Sequence, residues 1–250
     1  MSRFYLSDSK LNRLQPDFGS ITSIQEYGLS DVFSNQPIAF TSISFPKLEI
    51  INRGMNSCFS RTSITSISFP KLKTVNGGMG SCFEGCKSLT GGIEFPSLTS
   101  VGLNGMPSCF SSCIGITSIS FPNVATIQSG GMTHCFQNCT GLTFISFPSL
   151  TSVGRNGMEY CFYDCTGITS ISFPNLTSVE DYGMEYCFEG CQALTGRINF
   201  PNLTSVADYG LRGCFSVTGV TEVHFKASLS GNTQCTASNL GITGNVYFDL

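Results

Sequence analysis

The chain has 250 residues, 41% hydrophobic and 12% charged, with 27 glycines and no tryptophan, a composition too apolar for disorder and one whose surface must be built largely from Ser, Thr, Asn and Gly. The formal net charge of -3 supplies no basic stripe, so neither nucleic acid nor an anionic membrane surface is an expected partner. No run of 18 apolar residues is present, and no membrane insertion is expected.

The amino terminus, MSRFYLSDSKLNRL, carries no apolar stretch of the length a secretory signal needs. Residence in the cytoplasm, association with a virion and export by another route all stay open. Residues 1–36 read as an imperfect first turn and amino-terminal cap: Ile24, Gly28, Leu29, Val32 and Phe33 match the later Val179, Gly183, Met184, Cys187 and Phe188. Asp8, Lys10, Arg13 and Asp17 would give that cap its polar outer face.

Residues 37–225 then repeat. The dipeptide Phe-Pro begins at Phe45, Phe69, Phe95, Phe121, Phe147, Phe173 and Phe200, in steps of 24, 26, 26, 26, 26 and 27 residues. A period of this size marks a solenoid whose units stack on their neighbours. Phe225 and Phe248 continue the column without proline, and residues 226–250 read as a carboxyl-terminal cap with a final strand. About nine rungs are expected in one continuous domain.

Each unit opens with L-x-x-I-x-F, as in Ile168, Ile171 and Phe173. These positions align as columns of β-favouring side chains, which predicts a parallel sheet with like residues stacked along it. Proline ends the strand because it has no N–H to give to a ladder. A second extended piece follows, typified by Asn-Leu-Thr-Ser-Val at 175–179. Next comes a glycine column, Gly28 through Gly210, where either a positive φ or lack of room for a Cβ is required. After each glycine the spacing Met/Leu-x-x-Cys-Phe-x-x-Cys, as in Met158, Cys161, Phe162 and Cys165, predicts a helical turn with one buried side.

The pattern L-x-x-I-x-F-P-x-L-x-x-V followed by G-M-x-x-C-F-x-x-C resembles the BspA-type, or Treponema pallidum type, leucine-rich repeats from about residue 18 to the end. The resemblance implies a right-handed leucine-rich-repeat solenoid, with a parallel β sheet on the concave side and short extended segments and helical turns on the other. It also implies a cell-surface or extracellular binder of macromolecules rather than an enzyme. The repeat departs from the family form in being longer and in carrying Phe before the proline.

Twelve of the 13 cysteines fall in two columns, with Cys235 apart. Strict repetition and an odd total favour small buried hydrophobes over a disulfide framework. No catalytic residue, metal ligand set or cofactor is expected: His134 and His224 are the only imidazoles, and no cysteine occupies a privileged position.

Candidate binding residues are therefore sought where the repeat is broken. The outward strand positions are usually serine, as at Ser118 and Ser120, but become Glu94, Phe144, Arg197, Asn199, Glu222, His224, Asn245 and Tyr247 elsewhere. Phe144, Arg197, Asn199, Glu222, His224 and Tyr247 supply the aromatic area and charge that recognition of a protein or glycan ligand requires. A second cluster joins Tyr160, Tyr163, Tyr182, Tyr186 and Tyr209 to Glu159, Asp181, Glu185 and Asp208, and reads equally as a contact surface or as lids over the core. Three function classes follow: a non-catalytic, adhesin-like binding module; a structural or virion component; and, from the regular Thr column at Thr117, Thr143 and Thr169, a binder of ice or crystal surfaces.

Overall fold

The computed structural model describes residues 16–250; Asp8, Lys10 and Arg13, expected to face the amino-terminal cap, lie outside the described residues. The architecture is the parallel solenoid of about nine turns expected from the repeat. Its interior is one column of side chains per repeat position. Ile64, Leu89, Ile116 and Leu142 from the L-x-x-I-x-F segment, Leu72, Leu98, Leu150 and Leu176 from the second segment, and the Met and Cys columns from the turn are all fully buried.

Two phenylalanine ladders run the length of this core. The Phe-Pro rings stack from Phe45 through Phe248, for example Phe95 on Phe121 at 5.2 Å between centroids, and the Cys-Phe rings stack in parallel, for example Phe83 on Phe110 at 5.3 Å. Edge contacts such as Phe95 against Phe110 at 6.3 Å join one ladder to the other. Offset and edge-on arrangements of this kind add roughly 0.5–1.5 kcal/mol per pair beyond area burial.

The longest sheet is not formed by the L-x-x-I-x-F segments. Eight short strands of the second segment, from Ser23–Ile24 through Thr74–Asn76 and Ser152–Val153 to Ser205–Val206, form one unbroken parallel sheet. The L-x-x-I-x-F strands divide into a pair (Ser42–Ser44 and Ser66–Ser68), a triplet (Gly91–Glu94, Ile116–Ser120 and Phe144–Ser146) and a second triplet (Thr195–Phe200, Gly219–Phe225 and Asn245–Phe248). The rung between the triplets contributes only a bridge from Ser170 to Phe144. Each triplet opens on a rung with an extra glycine, Gly91 or Gly196, at positive φ, and the ladder to the next strand shifts register beside it, leaving Thr117 and Thr221 of the partner strands unpaired.

The cysteine-bearing segment also differs from the helical turn expected. In the Gly157 rung, Cys161 and Tyr163 donate to the carbonyls three residues back, at 3.1 and 3.2 Å, while Tyr160, Phe162 and Asp164 donate to Glu185, Cys187 and Glu189 of the next rung at 2.9, 2.9 and 2.8 Å. Alternate amides thus close successive β-turns or bind the neighbouring rung. A left-handed residue at every fourth position, here Asn156, Tyr160 and Asp164 with φ of 54°, 51° and 55°, prevents the chain from continuing as a helix. The buried spacing is kept, since Met158, Cys161, Phe162 and Cys165 all face inward.

The glycine column answers to space rather than to φ in most rungs. A Cβ at Gly183 would meet Val179 Cγ1 at 2.8 Å and the Glu180 carbonyl at 2.9 Å. Side chains satisfy the remaining bend carbonyls: Asn123, Asn175 and Asn202 each donate to the proline carbonyl of the preceding rung at 2.7 Å. The second cysteine column does the same inside the core, with Cys113 and Cys139 donating Sγ–H to Phe83 and Phe110 carbonyls at 3.0 and 3.1 Å. All 13 cysteines are buried and unbridged, as the sequence implied. Residues after 225 add a turn of 3-10 helix (Ala227–Leu229), a short helix (Ala237–Leu240) capped by Thr236, and the closing strand.

Candidate functional site

Five of the six sequence-chosen residues come together on the last strand triplet. Parallel pairing sets Arg197 beside Glu222, and sets Asn199, His224 and Tyr247 in one row across three strands. Arg197 Nε donates to Asn199 Oδ1 at 2.7 Å, which holds the guanidinium along the strand. His224 lies between two carboxylates, with Nδ1 at 2.7 Å from Asp249 and Nε2 at 3.3 Å from Glu222. The Tyr247 ring stacks on it at 4.5 Å. His224 consequently ends up 4% exposed: it points to the outward side of its strand, but its neighbours cover it.

Phe144 stands apart from this group. It lies on the middle triplet, 53% exposed, between Ser118 and Ser170. Two rungs separate its column position from that of Arg197, roughly 10 Å at ordinary strand spacing. Asp249, which sequence columns did not reveal because it follows the last aligned position, belongs to the site. The hydrogen bond from His224 holds its carboxyl below the usual range, helped by the charges of His224 and Arg197.

The tyrosine cluster occupies the turn side of neighbouring rungs. His134 stacks on Tyr160 at 5.0 Å and Tyr160 on Tyr186 at 5.0 Å, Tyr163 meets Tyr160 edge-on at 5.6 Å, and Tyr182 stacks on Tyr209 at 5.2 Å. Arg212 unites the stacks, its guanidinium 4.6 Å from the Tyr209 centroid and 5.5 Å from that of Tyr186. It also pairs with Glu185, a carboxylate 3% exposed whose pKa is raised by burial against the opposing pull of Arg212. His134 and Arg212 were legible in principle, because they occupy the same repeat columns as Tyr160 and Glu185. Among the described residues no group of three or more His, Cys, Asp or Glu side chains is placed to hold a metal, and no helix is long and apolar enough to cross a membrane.

The family pattern described as "BspA type Leucine rich repeat region" matches residues 4–129, 55–181 and 106–236 in six copies. The chain belongs to this BspA-type repeat family. Repeats of this type are generally non-catalytic, and the BspA-type solenoid here shows a surface of repeated serines broken by two side-chain clusters. Similar solved structures include a leucine rich cell surface protein from Faecalibacterium prausnitzii, 14% identical over 92% of this chain and 84% of that one with a TM-score of 0.37. Others are a leucine-rich repeat protein from Bacteroides ovatus, 20% identical over 84% and 75% with a TM-score of 0.26, and the pneumococcal vaccine antigen PcpA, 12% identical over 92% and 85% with a TM-score of 0.26. Such loose likenesses transfer no function. No curated protein matches the chain.

Proposed function

We propose that this BspA-type solenoid is a non-catalytic, adhesin-like recognition module that binds a protein or glycan through the carboxyl-terminal end of its outward strand face. The observation that carries this reading is the gathering of Arg197, Asn199, Glu222 and Tyr247 side by side on the last strand triplet, where earlier rungs present serine, as at Ser44, Ser68 and Ser120. A cation, an anion, an amide and an aromatic ring within neighbouring rungs give the mixed chemistry of a specific contact. Phe144 would extend the contact toward the middle of the face. The surface-crystal reading is weaker, since the Thr143 hydroxyl of the regular Thr column donates to the Thr117 carbonyl at 3.1 Å and is tied to the protein.

The test replaces Arg197, Glu222 and Tyr247 together by serine and compares parent and variant on arrays of cell-surface proteins and glycans. Loss of a ligand bound by the parent, with the variant's circular dichroism unchanged, is the expected result. Equal binding by both would remove the strand face from recognition.

A further inference from the structure

The outward strand face has a gap between its two triplets. Phe144–Ser146 meets the following rung only through the bridge from Phe144 to Ser170, and Thr195–Phe200 pairs with Gly219–Phe225 alone, so past that bridge the rung carrying Ser170 and Ser172 joins no ladder. The core widens with it. Rings of the Phe-Pro ladder stand 5.0 Å apart from Phe121 to Phe147 and 5.4 Å apart from Phe200 to Phe225, but 6.1 and 6.4 Å apart on the two sides of Phe173. Ile171 is only partly buried there, whereas Ile119, Ile145 and Ile198 of the same column are buried.

A similar gap precedes Gly91, where Ile67 is also partly buried, and its outward neighbours are Ser66, Ser68, Gly92 and Glu94. A gap is thus something the repeat tolerates; the second one differs in its rim. Phe144 stands on one side, 53% exposed and touching no other ring among the described residues, so its faces are free. Arg197 and Asn199 stand exposed on the other side. Arg197 gives its Nε–H to Asn199 Oδ1 at 2.7 Å, which leaves both terminal NH2 groups of the guanidinium without a protein partner among the described residues. Between these walls the exposed Ser170 and Ser172 flank Ile171.

A free ring face among hydrogen-bonding groups matches the chemistry of a pyranose. One side of a sugar ring shows C–H bonds, whose slight positive charge suits the negative face of an aromatic ring. Its hydroxyls both donate and accept, which meets serine hydroxyls, an asparagine amide and a guanidinium alike. Rungs repeat at about 4.8 Å, close to the rise of one sugar in an extended chain, so the roughly 10 Å from the Phe144 column position to that of Arg197 is the reach of a short oligosaccharide lying across the strands. Charge does not favour an anionic ligand, because Arg197 is paired in register with Glu222 and also acts on Asp249. A protein partner would meet a single isolated ring here, where protein interfaces bury a contiguous apolar centre.

We propose, resting on the strand-face reading above, that the gap between Phe144 and Arg197 is a subsite for a neutral linear glycan, with one sugar stacked on Phe144 and the next hydrogen-bonded by Ser170, Ser172, Asn199 and Arg197.

The test measures binding of cellohexaose, laminarihexaose, maltohexaose and mannohexaose by saturation-transfer NMR and titration. Phe144→Ser restores the residue that neighbouring rungs carry at Ser118 and Ser170, and should weaken binding about tenfold or more with an unchanged melting curve, since the side chain is exposed. Phe144→Leu keeps apolar bulk without a ring and should lose as much, while Phe144→Tyr keeps the ring and should stay within about threefold of the parent. Full binding by Phe144→Leu would reduce the contact to apolar area and overturn the stacking. Binding of none of the four sugars by the parent would overturn the glycan assignment, while a protein ligand lost in the serine triple at Arg197, Glu222 and Tyr247 would still uphold the strand face. Glycan binding that survives Phe144→Ser but not the serine triple would overturn the gap as the subsite and keep the strand face; glycan binding that survives both would overturn the two together.

Discussion

Phe110→Ala tests whether the paired ring ladders hold the solenoid together. Phe110 has no exposed surface; it stacks on Phe83 at 5.3 Å and Phe136 at 5.2 Å and meets Phe95 edge-on at 6.3 Å. Removing a buried phenylalanine side chain costs about 3–5 kcal/mol in transfer and cavity terms, and the upper part of that range applies because two stacks and an edge contact are lost on both sides. For a chain of this size each kcal/mol moves Tm by about 2–4 °C, so a drop of roughly 8–20 °C is expected in calorimetry. Hydrogen exchange should place the earliest opening in the rungs around residues 83–136, since each rung is supported mainly by its neighbours. Ile114→Ser, at a side chain 45% exposed, is the companion control and should change stability by no more than about 0.5 kcal/mol. A Phe110→Ala melting point within about 2 °C of the parent would refute the ladder as the source of stability.

Two further outcomes follow from titration. Burial raises the cysteine pKa values, that of Cys139 to about 12, while a thiol in the unfolded chain ionises near 8.5; the unfolded state therefore loses protons first as pH rises. Stability should be level below about pH 8.5 and fall above it, with alkylating reagent at pH 8 labelling no thiol until the chain is unfolded, and rapid native labelling of either cysteine column would contradict this. At the other end of the scale the His224 bond depresses the Asp249 pKa, so its stabilising contribution is complete above the usual aspartate range and is lost as pH falls through the lowered value. Asp249→Asn should remove that acid-sensitive step from proteolysis of the closing strand, and a carboxyl of Asp249 titrating near 3.9 by NMR would show the bond to be absent.

Side-chain columns were legible in the sequence because a period writes each buried position many times over. Ile116, Phe121, Leu150 and Cys161 needed no structure to be assigned to the core, and strand alternation brought Arg197, Glu222, Asn199 and Tyr247 to one face. Pairing was harder to read. The Leu-x-x-Val segments form the unbroken sheet, whereas the L-x-x-I-x-F segments carry the extra glycines at 91 and 196 and the register shifts beside them. The turn segment misled through its spacing: residues at i, i+3, i+4 and i+7 share a side in a helix, but they do so equally in successive β-turns whose amides alternate between the turn and the next rung. The left-handed columns carried their signal in Asn138, Gly85 and Asn156, and the tyrosines hid it. His224 alternates to the outward side of its strand yet lies covered, because Tyr247 of the last strand and Asp249 just after it close over it, a contact that belongs to a single rung and so has no repeat to announce it.

A repeat also supplies its own reference state for locating function. On the turn side the rungs solve the same backbone problem with Asn, Ser or Gly at some places and with Tyr27, Arg53, Arg61 or Val217 at others, so a bulky residue there is within what the fold accepts. The strand face departs from serine without strain, since arginine, glutamate and tyrosine all fit an extended chain. Between the two faces runs the core, where Phe173 and Phe200 of one ladder face Phe188 and Phe215 of the other, so a ligand on one side does not occlude the other. Residues far enough apart to share no partner contribute additively. Combining the serine triple on the strand face with Phe110→Ala in the core should therefore lower Tm by the sum of the two separate changes, and a clearly larger drop would refute their independence.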